Sequence, residues 1–105
     1  MKLYVYYFNE YVANLIKDSD GYSFAYTSSY LNKFDATPIA YSFPLRHEVY
    51  FSEGLFPFFQ SLLSEGWLKR LQQRVLKIDE NDLFSLLAEC GGETMGAVSI
   101  YKEKQ

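Results

Sequence analysis

The chain predicts an α+β domain: an antiparallel β-meander, or small sheet, with about three to four helices packed on one side. Two observations carry this. Apolar residues alternate with a period of two through the first part of the chain, then repeat with a helical period after Gly54. A β-rich stretch, 96–101, returns after the Gly91-Gly92 pair. Strands followed by helices and a closing strand make a sheet covered on one face. At 105 residues the chain can close one core and not two, so 1–105 is read as a single domain.

The elements follow in order. Residues 3–8, Leu-Tyr-Val-Tyr-Tyr-Phe, are β-branched and aromatic enough for a strand, and Asn9-Glu10 predicts a tight turn into a second strand, Tyr11–Lys17. Asp-Ser-Asp-Gly at 18–21 is turn chemistry, with Gly21 free to take a positive φ. The alternation that follows puts Tyr22, Phe24 and Tyr26 on one face. Ser28 or Ser29 can cap a short helix carrying Tyr30, Leu31 and Phe34. Ile39–Phe43, bracketed by Pro38 and Pro44, alternates again and predicts a short fourth strand.

Ser52 can cap a helix that holds Pro57 in its first turn, shows Phe58, Phe59, Leu62 and Leu63 on one face, and stops at Gly66. Trp67–Lys77 has no Gly or Pro and repeats Leu68, Leu71 and Val75, which predicts a second helix. Asp79 or Asn81 can cap a third, with Leu83, Leu86, Leu87 and Cys90 on one side and Gly91-Gly92 as its stop.

Composition narrows the class. Ten Tyr and nine Phe make the chain 19% aromatic, so some rings must lie at the surface and many hydroxyls need partners. A net charge of −3 gives no global attraction to nucleic acid. No signal peptide is read at Met1-Lys2-Leu3, and no run of about 18–20 apolar residues could cross a bilayer. One cysteine excludes an intrachain disulfide and suits a reducing cytoplasm. A cytoplasmic protein without membrane contact is the expectation.

Catalytic chemistry is sparse. One histidine, His47, and one cysteine, Cys90, cannot make a zinc site of the usual ligand count. Cys90 reads as a small buried hydrophobe rather than a nucleophile. Gly91-Gly92-Glu-Thr-Met-Gly96 lacks the lysine of a phosphate loop and follows a helix, where such a loop follows a strand. Asp79-Glu80-Asn81-Asp82 sits where a helix N-terminus favours acids. Neither an enzyme nor a cofactor is predicted.

The segment after Gly66 stands out. Lys69, Arg70, Arg74 and Lys77 occur with no acid among them. On a helical wheel Arg70, Arg74 and Lys77 lie away from the Leu68, Leu71, Val75 stripe, and Trp67 falls on the border. Trp67 either caps the edge of the core or is an anchor for a partner, since Trp and Arg are the residues most enriched at interface hot spots.

Three segments in register carry a resemblance: Ser-Phe-Pro-Leu-Arg at 42–46, Phe-Pro-Phe-Phe-Gln-Ser-Leu-Leu-Ser-Glu-Gly at 56–66, and Asp82–Ile100 with its Phe-Ser-Leu-Leu and Gly-Ala pattern. Together they resemble the N-terminal domain of HipA-type toxin kinases. Gln60-Ser61 and Ser64 depart from the family's acid, asparagine and proline there. The resemblance implies a domain that in HipA proteins precedes a serine/threonine kinase fold, which this chain is expected to lack. A free-standing copy is similar to the HipS-type antitoxins of three-component HipBST systems. That implies an antitoxin binding a separate HipT-like serine/threonine kinase, with a HipB-like DNA-binding protein in the same complex and no direct nucleic-acid contact. The alternative is a detached structural part of a split HipA-type kinase. Glu65, Gly66, Trp67, Arg70 and Arg74 are the expected partner contacts.

Overall fold

The computed structural model describes residues 1–62, 83–90 and 97–105. Strands β1 (Lys2–Tyr7), β2 (Glu10–Asp18) and β3 (Gly21–Tyr26) form the predicted antiparallel meander. The first turn lies one residue earlier than expected. Phe8 and Asn9 both take positive φ, 50° and 66°, which matches the right-handed twist of the strands and returns Glu10 to the ladder. Asn tolerates that conformation and a bulky Phe does so rarely. At the second turn Asp18 Oδ1 accepts the Asp20 and Gly21 N–H groups at 2.9 and 3.1 Å. Gly21 has φ +146°, as its place in the sequence required. A Cβ there would also stand 2.5 Å from the Ser52 carbonyl oxygen.

The fourth strand is not Ile39–Phe43. β4 is Tyr50–Ser52, paired antiparallel with Tyr22–Phe24 of β3, and residues 38–43 form an irregular loop. The Tyr26 hydroxyl takes the loop's Ile39 N–H and Phe43 carbonyl, and the Phe43 N–H turns back to the Ala40 carbonyl at 3.1 Å. β5 (Val98–Tyr101) confirms the closing strand and pairs with β1, giving the order β4-β3-β2-β1-β5.

Three helices lie among the described residues. α1 (Ser28–Leu31) is capped by Thr27, whose hydroxyl accepts the Tyr30 N–H at 3.1 Å, so neither Ser28 nor Ser29 is the cap. Phe34 lies beyond its end and is fully exposed instead of helical. α2 (Pro57–Ser61) begins with Pro57 in the first turn, as predicted, but Phe56 is its N-cap and Ser52 belongs to β4. α3 (Leu83–Cys90) buries Phe84, Leu86, Leu87 and Ala88, a stripe shifted from the predicted one and leaving Leu83 half-buried. The expected stop at Gly66, the helix over 67–77, the caps at Asp79 or Asn81, the Gly91-Gly92 stop and the Cys90 side chain fall outside the described residues.

The core lies on one face of the sheet. Leu3, Val5, Val12, Ala13, Leu15, Phe24, Val98 and Ile100 pack against Tyr30, Phe56, Phe59, Phe84, Leu86 and Leu87 from the helices and their flanks. A register shift between Val5 and Tyr6 places two consecutive buried residues, Val12 and Ala13, in β2. That extra residue turns Tyr11 away from Ala13 and Leu15 and pairs it with Tyr6 on the opposite face. Among the described residues no helix has enough length and apolar character to cross a membrane.

Candidate partner-binding surface

The five residues expected to contact a partner, Glu65, Gly66, Trp67, Arg70 and Arg74, lie outside the described residues. α2 carries the chain toward them. Phe59 is fully buried, Phe58 and Leu62 pack partly against the core, and Gln60 donates its side-chain amide to the Leu55 carbonyl at 2.7 Å.

The loop joining α1 to β4 is a second surface, which sequence reasoning took for a strand. Three tyrosine hydroxyls hold it. Tyr26, from β3, donates to the Phe43 carbonyl at 2.5 Å and accepts the Ile39 N–H at 3.1 Å. Tyr30, from α1, clamps both polar groups of Thr37, donating to its carbonyl at 2.7 Å and accepting its N–H at 3.0 Å. Tyr50, from β4, donates to the Pro44 carbonyl at 2.5 Å. Burial pushes the Tyr26 phenol up to about 12, outweighing the lowering effect of the Ile39 N–H.

The loop is also plugged into the core. Phe43 is 2% exposed, with its ring 4.2 Å from that of Phe24 and 5.1–5.9 Å from those of Tyr50, Phe56, Phe58 and Phe59. The Arg46 guanidinium stacks 3.6 Å over the Tyr50 ring. The 42–46 motif is thus largely a fastening device. Between the fastenings Tyr41 stands wholly in solvent, and Pro38, Ala40, Tyr41 and Pro44 line a shallow groove of about 360 Å³. The signal in the sequence was the excess of tyrosine beside two prolines, since a segment that cannot join a ladder needs other hydrogen-bond partners.

The sheet's other face carries a different set of rings. Tyr4 and Tyr11 lie 5.5 Å apart, Tyr6 and Tyr11 5.6 Å, and Tyr6 and Tyr101 5.3 Å. Lys2 and Lys104 sit over Tyr4 and Tyr11 at 5.0 and 5.3 Å. The Tyr6 hydroxyl accepts the Gln105 N–H at 2.7 Å, and that of Tyr11 donates to Asn14 Oδ1. Burial raises the Tyr11 phenol, against the lowering effect of Asn14. No three His, Cys, Asp or Glu groups come together to hold a metal among the described residues.

The family model described as the HipA N-terminal domain matches residues 3–101. The chain belongs to the HipA N-terminal domain family. A solved structure of the N-terminal domain of HipA toxin superposes with a TM-score of 0.71 at 33% identity, covering 99% of this chain and 94% of that one. An uncharacterised Haemophilus influenzae protein is 38% identical over 101 residues, 96% of this chain and 92% of that protein. Y4mE of Sinorhizobium fredii, whose name proposes a kinase, is 30% identical over 82 residues, 78% of this chain and only 20% of that protein. The family, and with it the relation to toxin–antitoxin proteins, agrees with the three sequence segments. It also agrees with the sheet, which carries its helices on one side.

Proposed function

We propose that this chain is a HipS-like antitoxin of a three-component toxin–antitoxin system, a non-catalytic binding protein that inhibits a separate HipT-like serine/threonine kinase in the cytoplasm. A HipB-like DNA-binding protein would share the complex, and this chain would touch neither nucleic acid nor membrane. The observation that supports the reading is that the same unit forms nearly all of the Haemophilus influenzae protein and one fifth of Y4mE. A unit found fused to a larger body in one protein and almost alone in another is well suited to bind such a body when separate.

Trp67 is the proposed anchor, with Arg70 and Arg74 as flanking polar contacts and Glu65 and Gly66 as further contacts. An indole filling a partner pocket is worth about 2–4 kcal/mol, a loss of about 30-fold to 1000-fold in affinity on truncation. The arginines act mainly on association rate and salt dependence.

The test is kinase autophosphorylation with and without this chain. An antitoxin lowers it and rescues growth. The second reading, a detached structural part of a split HipA-type kinase, draws on the fused arrangement in Y4mE and requires the opposite sign. Trp67→Ala should abolish inhibition and leave the melting temperature nearly unchanged. A core tryptophan would instead cost about 3–5 kcal/mol of stability.

A further inference from the structure

We infer that Tyr41, at the tip of the tyrosine-pinned loop, is a second anchor for the kinase, seating in an apolar pocket while the pocket's rim occupies the groove beside Pro38, Ala40 and Pro44. This rests on the kinase reading above. The loop is fixed from below and bare on top. Hydroxyls from three separate elements are committed to its main chain at Thr37, Ile39, Phe43 and Pro44, and Phe43 is locked among aromatic rings. Tyr41 is 106% exposed between those fastenings. Such rigidity does little for a ring that contributes nothing to the core, but it suits binding. A ring carried on a main chain already fixed costs less backbone freedom on association, and tyrosine adds a large area and a hydroxyl with only two side-chain torsions to order.

The tyrosines on the other face of the sheet are poorer anchors, because their rings already contact one another and two lysines. The occupant follows from the arrangement in Y4mE. There the unit is attached to a much larger remainder, and folded bodies on one chain commonly share an interface of modest area.

The experiment measures affinity of the full chain for a catalytically inactivated HipT-type kinase by calorimetry, with melting temperature on every variant. Tyr41→Ala should weaken binding by about 30-fold with unchanged melting, whereas Phe51→Ala, removing a ring 57% exposed on the other face, should leave affinity unchanged. Tyr26→Phe keeps the ring and removes one of the loop's three hydroxyl fastenings, so it should weaken binding when Tyr41 is present and add nothing in Tyr41→Ala. Equal binding by wild type and Tyr41→Ala overturns the inference while leaving the kinase reading intact. So does an equal loss in Phe51→Ala, or a Tyr26→Phe effect of the same size in both backgrounds. Self-association of the wild-type chain that Tyr41→Ala abolishes, with kinase binding intact, makes a second copy the occupant and also overturns it. No binding by the wild-type chain removes the kinase reading, and this inference with it.

Discussion

The two faces of the sheet are both aromatic, yet they are built from different rings. The covered face uses phenylalanine where packing is closest: Phe24, Phe43, Phe59 and Phe84 are each at most 2% exposed. Around β1 the uncovered face uses tyrosine, with Tyr4, Tyr11 and Tyr101 half-exposed and their neighbour Tyr6 buried beside Gln105, and phenylalanine appears there at the β4 edge, as the exposed Phe51. The difference is one oxygen atom per ring. A phenolic hydroxyl without a partner is expensive to bury, so it is kept near water or matched to a specific acceptor. Where tyrosine is buried on the covered side, at Tyr26 and Tyr30, its hydroxyl closes a loop's backbone hydrogen bonds. Ring type therefore separates filling from fastening.

The sharpest way to break that comparison is Phe43→Ala, which removes the ring at the centre of the aromatic cluster and should cost about 3–5 kcal/mol in urea unfolding. A loss below about 1 kcal/mol would mean that the loop is not part of the core. Gly21→Ala comes next. The strained φ costs about 1–3 kcal/mol, and the contact with the Ser52 carbonyl adds to it and loosens β4. Hydrogen exchange should show Tyr50–Ser52 losing protection before the meander does.

Tyr26→Phe keeps the packing and strands the Ile39 N–H and Phe43 carbonyl, for about 1–2 kcal/mol at neutral pH. Its pH dependence has a fixed sign. The folded phenol titrates near 12 and the unfolded one near 10.0, so the proton is held more tightly in the folded state. The stabilisation is complete below the unfolded value and is lost as pH rises through the folded one. The gap between wild type and Tyr26→Phe should thus be constant below about pH 9 and narrow between about 10 and 12. A gap that widens would place the hydroxyl elsewhere. On the uncovered face Tyr11→Phe loses only the bond to Asn14 and should cost about 0.5 kcal/mol or less. Lys33→Ala removes an exposed pair with Glu10, at 2.6 Å, and should leave the melting temperature unchanged within error.

Local pattern made the meander readable, because alternation, turn residues and the glycine at position 21 all act over a few residues. The closing strand and Pro57 at a helix start were readable for the same reason. Ile39–Phe43 misled because its alternation is real but serves no ladder. Its partners are the hydroxyl of Tyr26, distant in sequence, and the β3 edge is taken by Tyr50–Ser52 instead. The cap of α1 was displaced by one residue because Thr27 offers the same chemistry as its neighbours. Phe84 escaped the predicted stripe since 83, 86, 87 and 90 fit a helical wheel about as well as the set that is buried. As for the candidate contacts, the sequence pointed to Trp67 and its basic neighbours. Nothing local marked Tyr41, whose setting depends on three elements meeting from different parts of the chain.

The pairing of β1 with β5 puts synthesis and assembly in a fixed order. Val5 faces Ala13 on one side and Ile100 on the other, so the strand gains its first neighbour early and its second only near the far end of the unit. At about 5–20 residues per second a ribosome leaves that interval at several seconds or longer. During it β1 is an open edge carrying Val5 and Tyr6, the kind of edge to which other extended chains add. A released chain cut short between α3 and β5 would therefore keep most of its core residues and one adhesive side.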